Sequence, residues 1–251
     1  MATSSRGRVR VEESPRRVRV LLGGVFIADS TRAKYVWERP YYPTYYLPQD
    51  DVRTDLLVPT GERRRSPSRG DADLHTITAG GTEATAAAAW LTESPIEGLA
   101  GHIRLDFDAM DGWFEEDEQI YVHPRDPYSR VDVLQSSRRV RVDVDGTTVA
   151  DSRQPRLLFE TGLPTRYYLP KTDVRMDLLS PSTTTSRCPY KGTAEYYDVV
   201  IDGTSHPDLV WWYRYPTAES AAIAGYVCFY NEKVDLFVDG EALQRPGTPF
   251  S

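Results

Sequence analysis

The chain repeats itself, and this constrains its fold more than any other feature. Displaced by 122 residues, Arg16–Pro59 falls on Arg138–Pro181 without a gap, and 21 of those 44 positions are identical. The matches come in blocks: Arg-Arg-Val-Arg-Val at 16–20 and 138–142, Ala-Asp-Ser at 28–30 and 150–152, and Tyr-Tyr-Leu-Pro at 45–48 and 167–170. Asp-Val-Arg-x-Asp-Leu-Leu follows at 51–57 and 173–179. The offset continues through Pro67/Pro189, Gly70/Gly192, Ala72/Ala194, Gly81/Gly203 and Trp90/Trp212. Two extra residues enter the second copy near 216–224, after which Gly101 matches Gly225 and Asp111 matches Asp235. A period of this kind means one supersecondary unit made twice. Residues 16–128 and 138–251 are read as two domains, with 1–15 as a flexible basic tail and 129–137 as a linker.

The repeat also disciplines the choice of secondary structure. Arg17–Leu22 alternates polar and apolar residues and then meets Gly23-Gly24, and its copy runs likewise into Asp145-Gly146. Alternation ending in a Gly-containing dipeptide predicts a hairpin. Short strands are expected at Tyr35–Glu38 and Leu157–Glu160. In Asp-Val-Arg-x-Asp-Leu-Leu, a strand period of two would put Asp, Arg and Asp on one face. Thr82–Leu91 contains Ala86–Ala89 and has helical propensity. Its counterpart contains His206-Pro-Asp-Leu-Val-Trp-Trp-Tyr213, which suits a strand, so both are read as strand. One short helical turn per repeat is expected, near Ile96–Leu99 and Ala218–Ala224. Closing hairpins are expected after Phe114 and Asp235. The fold class is therefore all-β: two tandem, compact antiparallel domains with a tent-like or barrel-like closure.

Sixteen Tyr and five Trp agree with this, because aromatic side chains suit a pleated, half-buried surface. The net charge of −7 argues against a nucleic-acid partner. Arginines at 6, 8, 10, 16, 17 and 19 and seven acids within 106–118 read as solvated charge. Nothing resembles a secretory signal or a membrane span, so a cytoplasmic protein is expected, its two domains packing on one another. The two cysteines, Cys188 and Cys228, form no CxxC pair, and the four histidines are scattered, so no metal site is expected. The common phosphate-loop, dinucleotide and nucleophile-elbow motifs are absent. No cofactor is implied.

Several ordered blocks carry a family resemblance. They are Tyr-Tyr-Leu-Pro followed by Asp-Val-Arg-x-Asp-Leu-Leu, Arg187-Cys-Pro-Tyr-Lys-Gly192, Ile223-Ala-Gly-Tyr-Val227 and Glu115-Glu-Asp-Glu through His123-Pro-Arg-Asp-Pro-Tyr128. Together they resemble the bacterial domain of unknown function 427, in a two-copy form covering nearly the whole chain. That family carries a nucleotidyltransferase-like label. The resemblance implies a mostly antiparallel β-domain of about one hundred residues, related to tent-like sheets. It implies no particular chemistry. The first copy departs from the pattern, reading Arg65-Ser-Pro-Ser-Arg-Gly70.

Cys188-Pro-Tyr-Lys-Gly192 is the most suggestive stretch. Its turn suits a buried cysteine, an anion site with backbone N–H groups and Lys191, or a thiol activated by Lys191. Ser66 and Arg69 hold these places in the first copy, which keeps an anion site possible there and removes thiol chemistry. The leading expectation is a small anionic, nucleotide-like ligand held by Arg175, Lys191 and Tyr167, and in the first copy by Arg53, Arg69 and Tyr45. Tyr168, Asp173 and Arg187 join the second set, and Tyr46 and Asp51 the first. Glu38 and Glu160 are general bases or solvated acids, and Trp90 and Trp212 are read as core. The alternative is a group-transfer or thiol enzyme centred on Cys188 and Lys191. Asp173 with a metal is a fainter version of it.

Overall fold

The computed structural model of the protein describes residues 9–248. The chain divides between Asp126 and Pro127 into two units, each with its own hydrophobic clusters. In the first unit the strands begin with β1 (Arg10–Glu13), β2 (Val18–Leu22), β3 (Val25–Ser30), β4 (Lys34–Trp37) and β5 (Thr44–Pro48). Then come β6 (Leu57–Arg64), β7 (Ala72–Ala79), β8 (Thr82–Leu91), β9 (His102–Leu105), β10 (Gly112–Glu115) and β11 (Glu118–Ile120). They form a seven-stranded sheet, β1-β4-β5-β9-β8-β7-β6, and a four-stranded sheet, β11-β10-β2-β3.

The second unit repeats this plan. Its strands are β12 (Val131–Gln135), β13 (Val140–Val144), β14 (Thr147–Ser152), β15 (Arg156–Glu160), β16 (Arg166–Leu169) and β17 (Leu179–Cys188). They continue with β18 (Gly192–Ile201), β19 (Thr204–Pro216), β20 (Val227–Phe229), β21 (Asp235–Val238) and β22 (Glu241–Ala242). The sheet orders are β12-β15-β16-β20-β19-β18-β17 and β14-β13-β21-β22, strand for strand those of the first unit. All named pairings are antiparallel, as an all-β unit built from hairpins requires. Among the described residues β1 and β6 do not pair with each other, nor do β12 and β17, so the seven-stranded sheets stay open. The barrel-like alternative is thereby excluded.

Alternation decides what each strand buries. Val18, Val20 and Leu22 of β2 face a core shared with Ile27, Tyr45, Leu47, Ile77 and Ile103. Val140, Val142 and Val144 do the same in the second unit, against Tyr167, Leu169, Val199 and Val227. The opposite face of each seven-stranded sheet carries a smaller cluster: Val36, Tyr46, Ala89, Leu91 and Leu99 in the first unit, and Leu158, Tyr168, Trp211, Tyr213 and Cys228 in the second. The hairpin expected at Asp145-Gly146 forms with both residues at positive φ, the condition for a two-residue turn that follows strand twist.

The Ala-rich segment is strand β8, as its counterpart β19 required. The expected helical turn in the second unit is a 3-10 turn at Ala218–Ile223. At Ile96–Leu99 it is a single turn closed by the Leu99 N–H on the Ile96 carbonyl, 3.2 Å. Two segments differ from the sequence reading. Arg10–Glu13, expected in the tail, is an edge strand because Val9 and Val11 pack on the smaller cluster. Val131–Gln135, expected in the linker, is the matching edge strand, with Val131 and Val133 packed the same way. Arg6 and Arg8 lie outside the described residues. Among the described residues no helix is long and apolar enough to cross a membrane.

Candidate functional site

The paired tyrosines separate by strand alternation. Tyr45 of β5 and Tyr167 of β16 point into the core between the sheets. Tyr45 stacks on Tyr35 at 5.2 Å and donates to Glu115 Oε1 at 3.0 Å, and Glu115 also pairs with Arg16. Tyr46 and Tyr168 point to the opposite face. The expected grouping of Tyr167 with Lys191, and of Tyr45 with Arg69, therefore does not form: the tyrosine on the face of the basic residue is the second of each pair.

Asp-Val-Arg-x-Asp-Leu-Leu is not a strand before its last leucine, where β6 and β17 begin. Gln49–Asp51 and Thr54–Leu56 are 3-10 turns, as are Lys171–Asp173 and Met176–Leu178. Arg53 and Arg175, between the turns, have ψ of 76° and 75°, which breaks the extended run. Asp51 accepts from the Ser30 hydroxyl at 2.7 Å and from Arg32, and Asp173 accepts from Ser152 at 2.6 Å. Val52 and Val174 plug the core. Arg53 chelates Asp55 at 2.7 and 2.8 Å, and Arg175 chelates Asp177 at 2.6 and 2.9 Å, all four side chains exposed. The carboxylate oxygens and guanidinium forks of this motif are thus engaged within the motif or with the neighbouring strand. Arg187 lies on an exposed position of β17, across from Thr193.

What does converge in the first repeat is a different set. Glu38, just past β4, accepts from the Tyr46 phenol at 2.6 Å and lies 3.4 Å from Arg104 and 3.8 Å from Arg69. These residues, with Arg64, Ser66 and Gly70, line a cavity of about 20 Å³ whose floor is Ala72, Ala89 and Leu91. The buried Arg104 Nε is the atom that faces Glu38, at an ion-pair distance and without a hydrogen bond among the described residues. Burial first, then the Glu38 carboxylate, pushes the Tyr46 phenol upward, while Arg69 and Arg104 pull it down. The lining carries three guanidinium charges against one carboxylate, with the phenol neutral.

The loop that supplies Arg69 is held by its own backbone. Arg69 and Gly70 both donate to the Ser66 carbonyl, at 3.2 and 2.8 Å, and Ser94 bonds the Arg69 carbonyl at 2.6 Å. Gly70 sits at φ +103°, and a Cβ there would meet the Glu93 carbonyl oxygen at 2.3 Å, so no other residue fits. In the second repeat Lys191 likewise donates to the Cys188 carbonyl at 3.3 Å. The expectation that this turn aims those backbone N–H groups at an anion is corrected: they close the turn, and the charge comes from side chains.

At the matching place in the second repeat the cavity lining is replaced. Trp211 and Tyr213 stand where Ala89 and Leu91 do, and Cys228 stands at the place of Arg104. Lys191 forms an ion pair with Glu160, and both side chains are nearly buried. Tyr168 accepts from the Trp211 indole at 3.0 Å. Burial raises the Tyr168 and Tyr213 phenols and pushes the Cys228 thiol up to about 12. Cys188, at the end of β17, is half-buried.

Arg104 and Arg64 were missed by the sequence reading, which compared the copies for shared positions. Cys228 and Ser186 hide them. The available signal was a charge inside the alternation Ile103-Arg104-Leu105 at the centre of a sheet, where an apolar or neutral residue is usual.

The fold and this surface define a class first: a tandem pair of open, two-sheet β-units with a polar cluster on the outer face of the larger sheet. The sequence places it more narrowly. Residues 10–116 and 132–240 each match the family described as a domain of unknown function (DUF427), and the chain belongs to that family. No curated protein matches it.

Proposed function

We propose that the first repeat binds a small ligand bearing an oxyanion, a carboxylate or a phosphate, in the cavity between Arg69, Arg104 and Tyr46. The observation that carries this is the lining: three arginines against one glutamate around a space the second repeat fills with Trp211 and Tyr213. The cavity admits one water-sized atom, since about 10–15 Å³ suffices for a water. One ligand oxygen enters, and the rest of the group stays at the mouth beside Arg64 and Ser66. Arginine suits this work because its planar fork matches carboxylate and phosphate geometry. A cytoplasmic setting belongs to the same proposal, and both cysteines are free thiols.

Thermal unfolding with phosphate, sulfate and acetate at constant ionic strength tests the reading. A ligand at tenfold its dissociation constant adds about 1.4 kcal/mol, a rise of several degrees for a unit of this size. Arg69→Ala and Arg104→Met are expected to remove the rise, and Arg175→Ala to keep it. A rise that survives both cavity variants, or none with any anion, contradicts the proposal.

A second reading has its own observation. The buried Glu160–Lys191 pair of the second repeat, beside Tyr168, Tyr213 and the half-buried Cys188, is a set suited to group transfer or thiol chemistry. Cys228, with its thiol held protonated near neutrality, is no nucleophile. Cys188 would react with iodoacetamide faster than a free thiol at neutral pH, and Lys191→Ala would slow it. An ordinary rate in the parent protein ends this reading.

A further inference from the structure

The two repeats also share a tryptophan on the hairpin β7–β8 and its copy β18–β19, and the copies treat it differently. In the second repeat Trp212 is covered by a cation of its own chain. Lys171 Nζ stands 3.4 Å from the Trp212 ring centroid and donates to the Tyr197 hydroxyl at 3.0 Å. Tyr197 stacks alongside Trp212, centroids 6.0 Å apart and planes 20° apart. The Arg214 guanidinium lies 5.1 Å from the same ring and is forked onto Glu195 at 3.0 and 3.1 Å. An ammonium over an indole face, steadied by a phenol oxygen, is the arrangement that binds alkylammonium groups.

In the first repeat the platform remains and the cation is gone. Trp90 stands at the place of Trp212, and His75, at that of Tyr197, lies 5.6 Å from it. Gln49 replaces Lys171, and its amide oxygen takes the indole N–H at the ring edge, 3.2 Å, rather than covering the face. Thr92 replaces Arg214. Asp73, at the place of Glu195, pairs with Arg63 at 2.8 Å from the neighbouring strand. No described cation lies over the Trp90 ring. An open groove of about 500 Å³ borders Trp90, and its lining also includes His75, Asp73, Glu62 and Arg63. That volume lies within the range of small-molecule sites. Two carboxylates against one guanidinium give the lining a net negative charge.

We propose that this groove is a site for a small organic cation carrying a primary ammonium group, which takes the place that Lys171 holds in the second repeat. The ring face supplies the attraction, and Asp73 and Glu62 supply the sign. The site uses none of the residues of the oxyanion cavity, so either proposal can fail without the other.

Fluorine NMR of the full chain labelled with 5-fluorotryptophan, with butylammonium and its uncharged isostere 1-butanol as probes at constant ionic strength, tests it. Trp→Phe variants assign the resonances. The Trp90 resonance is expected to shift saturably with butylammonium in the millimolar range, the strength of one such contact, and not with butanol. Asp73→Asn is expected to weaken the response roughly twofold. Trp212 is expected to stay silent in the parent chain and to respond in Lys171→Gln/Arg214→Thr, which removes both cations from its ring. Equal responses of Trp90 to both probes, or none to butylammonium, would overturn the proposal. So would a Trp212 that remains silent in Lys171→Gln/Arg214→Thr, because the parallel between the copies would then be lost.

Discussion

Arg104 and Cys228 hold the same place on the central strand of their sheets, and the exchange changes the surroundings of both. Arg104 brings a charge beside Tyr46 and Glu38, while Cys228 lies fully buried under Trp211 and Tyr213. Elsewhere a single pair carries similar weight. Arg166 of β16 is forked onto Glu232 with both bonds at 2.7 Å, and both side chains are buried. Burial alone would raise the Glu232 carboxyl, but bonds from Arg166 and Thr248 bring it down to about 2. A carboxyl lowered on folding contributes stability that is full above its unfolded value near 4.5 and is lost as pH falls toward 2. Glu232→Gln is expected to cost about 3–5 kcal/mol at neutral pH, since Arg166 is left buried and unpaired. Its urea-determined stability should also fall less steeply than the parent's between those pH values. The double variant Arg166→Met/Glu232→Leu is expected to recover most of the loss.

At the scale of the element, strands β8 and β19 each contain, beyond the hairpin turn, one residue forced to positive φ: Ala86 at 51° and Asp208 at 51°. Each lies at a register shift, and its N–H is taken by a side chain of the partner strand, Thr76 Oγ1 at 3.2 Å and Asp198 Oδ1 at 2.8 Å. Aspartate tolerates this conformation better than alanine does. Ala86→Gly is therefore expected to stabilise the first unit by about 0.5–1 kcal/mol, the relief of left-handed strain exceeding the entropy glycine adds to the unfolded chain. Chemical denaturation checks the sign, and a loss of stability contradicts it. The same hairpin shows how element type became legible. Propensity alone favoured a helix at Ala86–Ala89, and only the copy with Trp211 and Trp212 made it a strand. Asp-Val-Arg-x-Asp-Leu-Leu went the other way. Its alternation is genuine, but Val52 is buried while Leu56 and Leu57 only partly pack on the same core, and the arginine bends the chain, which residue polarity does not disclose. The face of each tyrosine in Tyr-Tyr-Leu-Pro was equally hidden, because a period of two fixes opposition and not which side is the core.

At the scale of the molecule, the duplication made the fold legible and the site less so. Shared positions such as Asp51/Asp173 and Arg53/Arg175 drew attention, and they are bonded within their own unit. Arg64 and Arg104 are the unshared ones. Since each unit has its own sheets and clusters, residues 1–126 and 127–251 expressed separately are each expected to unfold in one cooperative transition with native-like circular dichroism. A half that stays unfolded would show that the copies depend on each other. The oxyanion cavity is expected only in the first half, because Trp211 and Tyr213 fill its counterpart. Crystals of the full chain soaked in selenate, and read by anomalous scattering at the selenium edge, test this directly. A peak is expected between Arg69 and Arg104, absent in Arg104→Met, and no peak beside Lys191. A peak beside Lys191 alone, or none at either place, would contradict it.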